Sequence, residues 1–127
     1  MPAGQRFKEK VLAASRHAGK GGAPDRRVAI RIAVAVLAPD IPAAELGLVV
    51  DHATHSPGLR KAKPPAAAWL SLIAFIRHRC TDYDDLLADG YGAEAARHFS
   101  LEQMNRVLEA WGCRRRLDSR EAAAEEP

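Results

Sequence analysis

The sequence predicts an all-α protein, a small compact bundle of about four to five helices with flexible termini. Three observations carry this expectation. The periodic apolar segments are rich in alanine and poor in threonine, asparagine and aromatic residues, which favours helix over sheet. Of 127 residues, 47% are hydrophobic, enough for one modest core without disulfides or a metal. Proline near the start of apolar runs and glycine just past their ends give the punctuation of helices.

Charge divides the chain further. Residues 1–27 carry seven Lys/Arg against two acids, residues 28–117 eleven against ten, and residues 118–127 one against four. The expected organisation is a flexible basic arm over 1–24, a single helical domain over 25–117 and an acidic disordered tail over 118–127. The arm holds the run GKGG, but Lys20 is followed by Gly21, Gly22 and Ala23 and not by Ser or Thr, so it does not fit a phosphate loop.

From Asp25 the run RRVAIRIAVAVL admits two periods. Val28, Ile30, Ile32, Val34 and Val36 alternate as in a strand, while the interleaved alanines and the stop before Pro39 suit a helix. Helix is preferred, because no second strand is visible to pair with this one. Pro42 then suits the first turn of a helix through AAELGLVVDHATH, with Leu46, Val49, Val50 and Ala53 on one face. His52 and His55 share a face of that helix and are weak metal candidates, since a site needs further ligands. The following SPGLRKAKPP reads as a loop held extended by its prolines, presenting Arg60, Lys61 and Lys63 as candidate phosphate contacts.

Pro65 opens the strongest helix, PAAAWLSLIAFIRHRC, which is apolar nearly all round and therefore central. It is shorter than the roughly 18 residues of a membrane span. At Thr81 the pattern changes: TDYD suggests an N-cap followed by a carboxylate, starting a short helix that Gly90 ends from the left-handed region. Arg77, His78 and Arg79 thus close one helix, while Asp82, Asp84 and Asp85 open the next, each where the helix dipole favours its charge. The last helix is expected from about Ala93 to Trp111, with Ala96, Phe99, Met104, Val107, Leu108 and Trp111 as its apolar stripe and Gly112 closing it. Arg114, Arg115 and Arg116 follow as a second candidate phosphate cluster.

Cys80 and Cys113 are far apart and form no CxxC pair, so neither a zinc ribbon nor a redox dithiol is expected, and both read as reduced thiols of a cytoplasmic protein. No motif for a cofactor is found, and no signal peptide is recognisable.

The pattern of an apolar helix ending in Arg77-His78, then Thr81, Tyr83-Asp84, Leu86-Leu87, Gly90, Ala96-Arg97 and Trp111 resembles the bacterial and fungal family of domain of unknown function 2293. The upstream DHATHSPGLRKAKPPAAAWLSL is similar to its shorter proteobacterial members, and the resemblance covers about Pro39 to Leu117. The family implies domain limits and no particular activity. Gly92 departs from the pattern, standing where a polar cap is expected. Nothing in the chain matches the Cys-rich zinc module of longer members.

Four readings of the Arg77, His78, Thr81, Tyr83, Asp84 and Arg97 cluster and its surroundings follow. The first is a buried polar clasp in which Asp84 pairs with Arg97 or Arg77, His78 meets Asp84 or a helix-terminal carbonyl, and Tyr83 covers the pair. The second is a binding module for nucleic acid, using the arm and the arginine cluster but not the acidic short helix. The third is a protein-interaction or oligomerisation module, whose signature would be exposed apolar residues between Val28 and Leu37. The fourth is an enzyme with His78 as base and Asp84 as its orienter, for which only Cys80 or Thr81 could be a nucleophile. A non-catalytic binding module is the expectation, with a nucleic acid or another protein as partner.

Overall fold

The computed structural model describes residues 24–123, and every regular element among them is helical. In chain order they are α1 (Pro24–Leu37), α2 (Ala43–His55), a 3-10 turn (Pro57–Leu59), α3 (Pro64–Cys80), α4 (Tyr83–Ala88), α5 (Ala93–Ala110) and α6 (Ser119–Ala123). The basic arm, Pro24 apart, and the last four residues of the acidic tail lie outside the described residues. Among the described residues no helix is long and apolar enough to cross a membrane.

The run with two competing periods is a helix, and helical geometry explains what the alternation does there. Residues two apart are about 200° apart around a helix, so an alternating set splits into two nearly opposite rows. Ile30, Val34 and Ala38 form the inner row and are fully buried. Val28, Ile32 and Val36 form the outer row and are 53%, 58% and 73% exposed. The Ala38 amide still donates to the Val34 carbonyl, at 2.8 Å, before Pro39 stops the helix.

α2 buries Val49, Val50 and Ala53 against α1 and α3. It also buries Asp51, which pairs with Arg27 of α1. The segment after α2 is extended at Ser56 and Lys63, just before Pro57 and Pro64, but not between them. Pro57 starts a 3-10 turn that drops Leu59 into the core, 1% exposed, and burial of this leucine favours the turn.

α3 is the central helix. Its buried residues run Ala67, Ala68, Trp69, then unbroken from Ser71 to Arg77, and α1, α2 and α5 pack on it. α5 presents Ala96, Ser100, Met104 and Leu108 to the core, a row with steps of four. Phe99, expected in that stripe, lies about 100° away from Ser100 and is 55% exposed, where its ring meets Tyr91 edge-on at 5.7 Å. Ser100 takes the inner position because its hydroxyl donates to the Ala96 carbonyl at 2.8 Å, leaving nothing polar unsatisfied.

Past α5, Gly112 has φ +77°, and the Asp40 amide donates to the Trp111 carbonyl at 3.0 Å. A Cβ at Gly112 would stand 2.7 Å from Asp40 Oδ2. Gly112→Ala therefore combines a left-handed backbone with a steric clash, and should lower stability by at least about 1 kcal/mol in urea unfolding.

The chain then turns back onto α5. Asn105 brackets Leu117, donating to its carbonyl at 2.9 Å and accepting from its amide at 2.8 Å. Residues 119–123, expected within the acidic tail, form α6, whose Ala122 is buried. Glu121 accepts from the Trp69 indole at 3.2 Å and from Arg115 at 2.9 Å. One carboxylate and one alanine thus tie this helix to the bundle.

Candidate functional site

The polar junction between α3 and α4 is built around Thr81, the C-cap of α3 in extended backbone. Its hydroxyl donates to the Arg77 carbonyl at 2.5 Å and accepts from the Tyr83 amide at 3.2 Å. One side chain therefore satisfies the end of one helix and the start of the next. The sequence expected Thr81 as the N-cap of α4. Asp82 occupies that position, held by Gln103 of α5, which accepts from its amide at 3.1 Å and donates to its carboxylate at 2.9 Å.

Asp84 reaches across the junction and accepts from His78 Nδ1 at 2.8 Å, one of the pairings that the clasp reading offered. Tyr83 is buried and lies edge-on to the His78 ring, centroids 5.4 Å apart, with the Arg77 guanidinium 5.7 Å from its own centroid. Arg77 is only 1% exposed and donates to the Ala122 carbonyl across a long 3.4 Å. Arg97 lines a small cleft with Glu94, His98, Leu101, Ser119 and Ala122. Both arginines thus border α6, an element the sequence reading had not foreseen.

These arrangements bear on chemistry. The cleft beside Arg97 measures about 120 Å³, room for a few waters but well below the roughly 300 Å³ where ligand pockets begin. The Thr81 proton is committed to a backbone carbonyl. Burial pushes the Cys80 thiol above its ordinary range, and the opposing pull of Arg79 does not cancel this. Neither candidate nucleophile is activated.

The His78 and Asp84 side chains are 33% and 42% exposed, so water screens their attraction. Asp84→Ala should cost about 0.5–1 kcal/mol in chemical denaturation. A loss of several kcal/mol would mean that this pair supports far more of the fold than its exposure allows.

A sequence model of the family described as uncharacterized conserved protein (DUF2293) matches residues 33–112, more than half of the chain. The chain belongs to the DUF2293 family. No curated protein and no solved structure matches it. The matched DUF2293 segment begins within α1 and ends at the left-handed Gly112, so it contains the whole α3–α4 junction. It leaves out the first turns of α1 and all of α6.

Outside the DUF2293 junction, the other candidate residues separate. His52 Nδ1 lies 3.0 Å from the Ser71 hydroxyl while His55 is exposed, and among the described residues no group of three His, Cys, Asp or Glu could hold a metal ion. Of the six candidate phosphate contacts, two are engaged within the fold. Arg115 lies over the Trp69 ring, 3.9 Å from its centroid, and pairs with Glu121, while Arg116 donates to the Cys113 carbonyl. Arg60, Lys61, Lys63 and Arg114 are exposed.

One pair of arginines escaped the sequence reading. Arg26 and Arg27 stand in the first turn of α1, where the helix dipole disfavours cations, and that misplacement was the available signal that each has a specific partner. Arg27 takes buried Asp51. Arg26 donates to the Leu59 carbonyl at 2.8 Å and the Ala62 carbonyl at 2.7 Å. The root of the basic arm is thereby fastened to the loop that carries Arg60, Lys61 and Lys63.

Proposed function

We propose that this domain is a non-catalytic binding module that grips the phosphate backbone of nucleic acid, in a cytoplasmic setting where its two cysteines are free thiols. The observation that carries the reading is the anchoring of Arg26 to the Leu59 and Ala62 carbonyls. It brings together two basic features that are far apart in sequence. The exposed Arg60, Lys61 and Lys63 stand at one end of α1, and the arm, with five further Lys/Arg in residues 1–23, departs from that same end. The cations of residues 1–23, continuous in sequence with the start of α1, and the exposed cationic loop suit contacts to phosphates spaced along a strand, with affinity drawn from counterion release and with no base reading.

α4 is kept out of the contact, because Asp82, Asp85 and Asp89 are exposed there and repel phosphate. The test is fluorescence anisotropy of labelled single-stranded RNA and duplex DNA over a salt series. Binding at low salt with a steep linear fall of log affinity against log salt is expected, about 0.9 per phosphate contact on duplex and about 0.7 on single strands. Absence of binding at low salt refutes the reading.

A further inference from the structure

α6 packs on α5 and bonds to α3, so it lies over a groove between those two helices. The groove is walled by Trp69 and Arg77 of α3 and by Arg97 and Leu101 of α5, all within the matched residues 33–112, whereas α6 lies outside them. Walls and occupant are separate units of sequence.

The occupant is a compact recognition unit. Asp118 accepts from the Glu121 amide at 2.8 Å and so caps the segment from within. Glu121 takes the Trp69 indole N–H at 3.2 Å and the Arg115 guanidinium at 2.9 Å. Ala122 is buried, its carbonyl accepting from Arg77. The contacts follow one short pattern: an aspartate, two intervening residues, a glutamate, then an alanine. A carboxylate on the occupant meets a cation and an N–H donor on the body of the protein.

Two features make this occupant exchangeable. A helix of five residues is too short to stand alone, so it keeps its shape only while docked. It also fits loosely. The Arg77 bond is stretched to 3.4 Å, and a cleft of about 120 Å³ stays open between Ser119 and Ala122 of α6 and Glu94, Arg97, His98 and Leu101 of α5. A larger apolar side chain in the place of Ser119 would reach into that cleft and gain by burial.

We propose that the α3–α5 groove is a docking site for a short acidic helical segment of another protein, and that α6 is its built-in competitor, displaced when the partner binds. Its tether holds α6 at an effective concentration on the order of millimolar, so a partner succeeds by fitting the groove better than α6 does.

The probe is a fluorescein-labelled peptide of residues 118–127, followed by anisotropy on the full chain. No nucleic acid is present, so the outcome is independent of the phosphate-binding reading. Glu121→Lys in the chain removes the acceptor shared by Trp69 and Arg115 and releases α6. The peptide should bind this variant at least about tenfold more tightly than wild type, because the competitor has left the groove. Ala122→Asp in the chain, a charge at the buried position, should act in the same way. Within the peptide, Glu121→Gln should weaken binding and Ser119→Leu should strengthen it. On the wild-type chain, millimolar unlabelled peptide should accelerate amide exchange at residues 119–122, a measurement that needs no variant and decides the matter if a substitution unfolds the chain. Unchanged exchange overturns the proposal, as does binding to the released variants that is no tighter than to wild type. Indifference to both peptide substitutions overturns it equally.

Discussion

Replacing Trp69 with alanine is expected to destabilise the fold by about 3–5 kcal/mol. The indole is nearly fully buried on the central helix and serves two structures at once. Its ring fills core space, and its outer face is the platform for Arg115 at 3.9 Å. Its N–H donates to Glu121, the residue that also receives Arg115. Truncation therefore leaves a cavity and strips the C-terminal segment of its main anchor. Urea unfolding should show a lower midpoint, and amide exchange across residues 113–122 should accelerate beyond what the global loss explains. Trp69→Phe keeps most of the ring and loses only the N–H, so its cost should fall to about 1–2 kcal/mol, with exchange near Glu121 still raised. If alanine costs no more than phenylalanine, the indole is not packed as described.

What the sequence made legible was the part of the fold that depends on one helix at a time. Trp69, Leu72, Ile73, Phe75 and Ile76 cover α3 all round, and a helix with no polar face has nowhere to go but the centre. Gly90 and Gly112 at the ends of apolar runs announced their positive φ values. The exposed row of α1 was also anticipated as a place to look, because a run with so few polar residues must either be buried on every side or show apolar surface.

The part that remained hidden depends on which element lies opposite. Asp51 looks like an ordinary surface acid in AAELGLVVDHATH until Arg27 of α1 is placed beside it. Leu59 sits in a Pro- and Gly-rich stretch, and its place in the core cluster shows only once the 3-10 turn has carried it there. Phe99 is the reverse case, a large apolar residue left outside because a serine that bonds its own helix fills the inner row. In the junction, composition suggested Asp84 with His78, and the two do meet at 2.8 Å. The involvement of α6 could not be foreseen, since Ser119–Ala123 is short, charged and alanine-rich, and it is held by its packing on α5 and by the bonds of Glu121 and Ala122 to α3.

Substituting Arg60, Lys61 and Lys63 together by alanine is expected to produce the largest change in nucleic-acid affinity. All three are exposed on a loop whose backbone is secured by Arg26, so their loss should subtract charge without altering the fold. Each phosphate contact removed lowers the magnitude of the duplex salt slope by about 0.9, and the three together should weaken binding at low salt on the order of tenfold or more. Two controls separate this from a general loss of positive charge. Arg115→Ala removes a cation stacked on Trp69 and paired with Glu121, so it should lower stability and leave the salt slope unchanged. Arg26→Ala removes a guanidinium that faces carbonyls and not solvent phosphate, so it should reduce affinity by loosening the loop from the arm, again with the slope nearly intact. If Arg26→Ala lowers the slope as each loop cation does, Arg26 is itself a phosphate contact and the anchoring argument fails. If the triple variant leaves both affinity and slope unchanged, the cationic loop is solvated surface and any binding belongs to residues 1–23 alone.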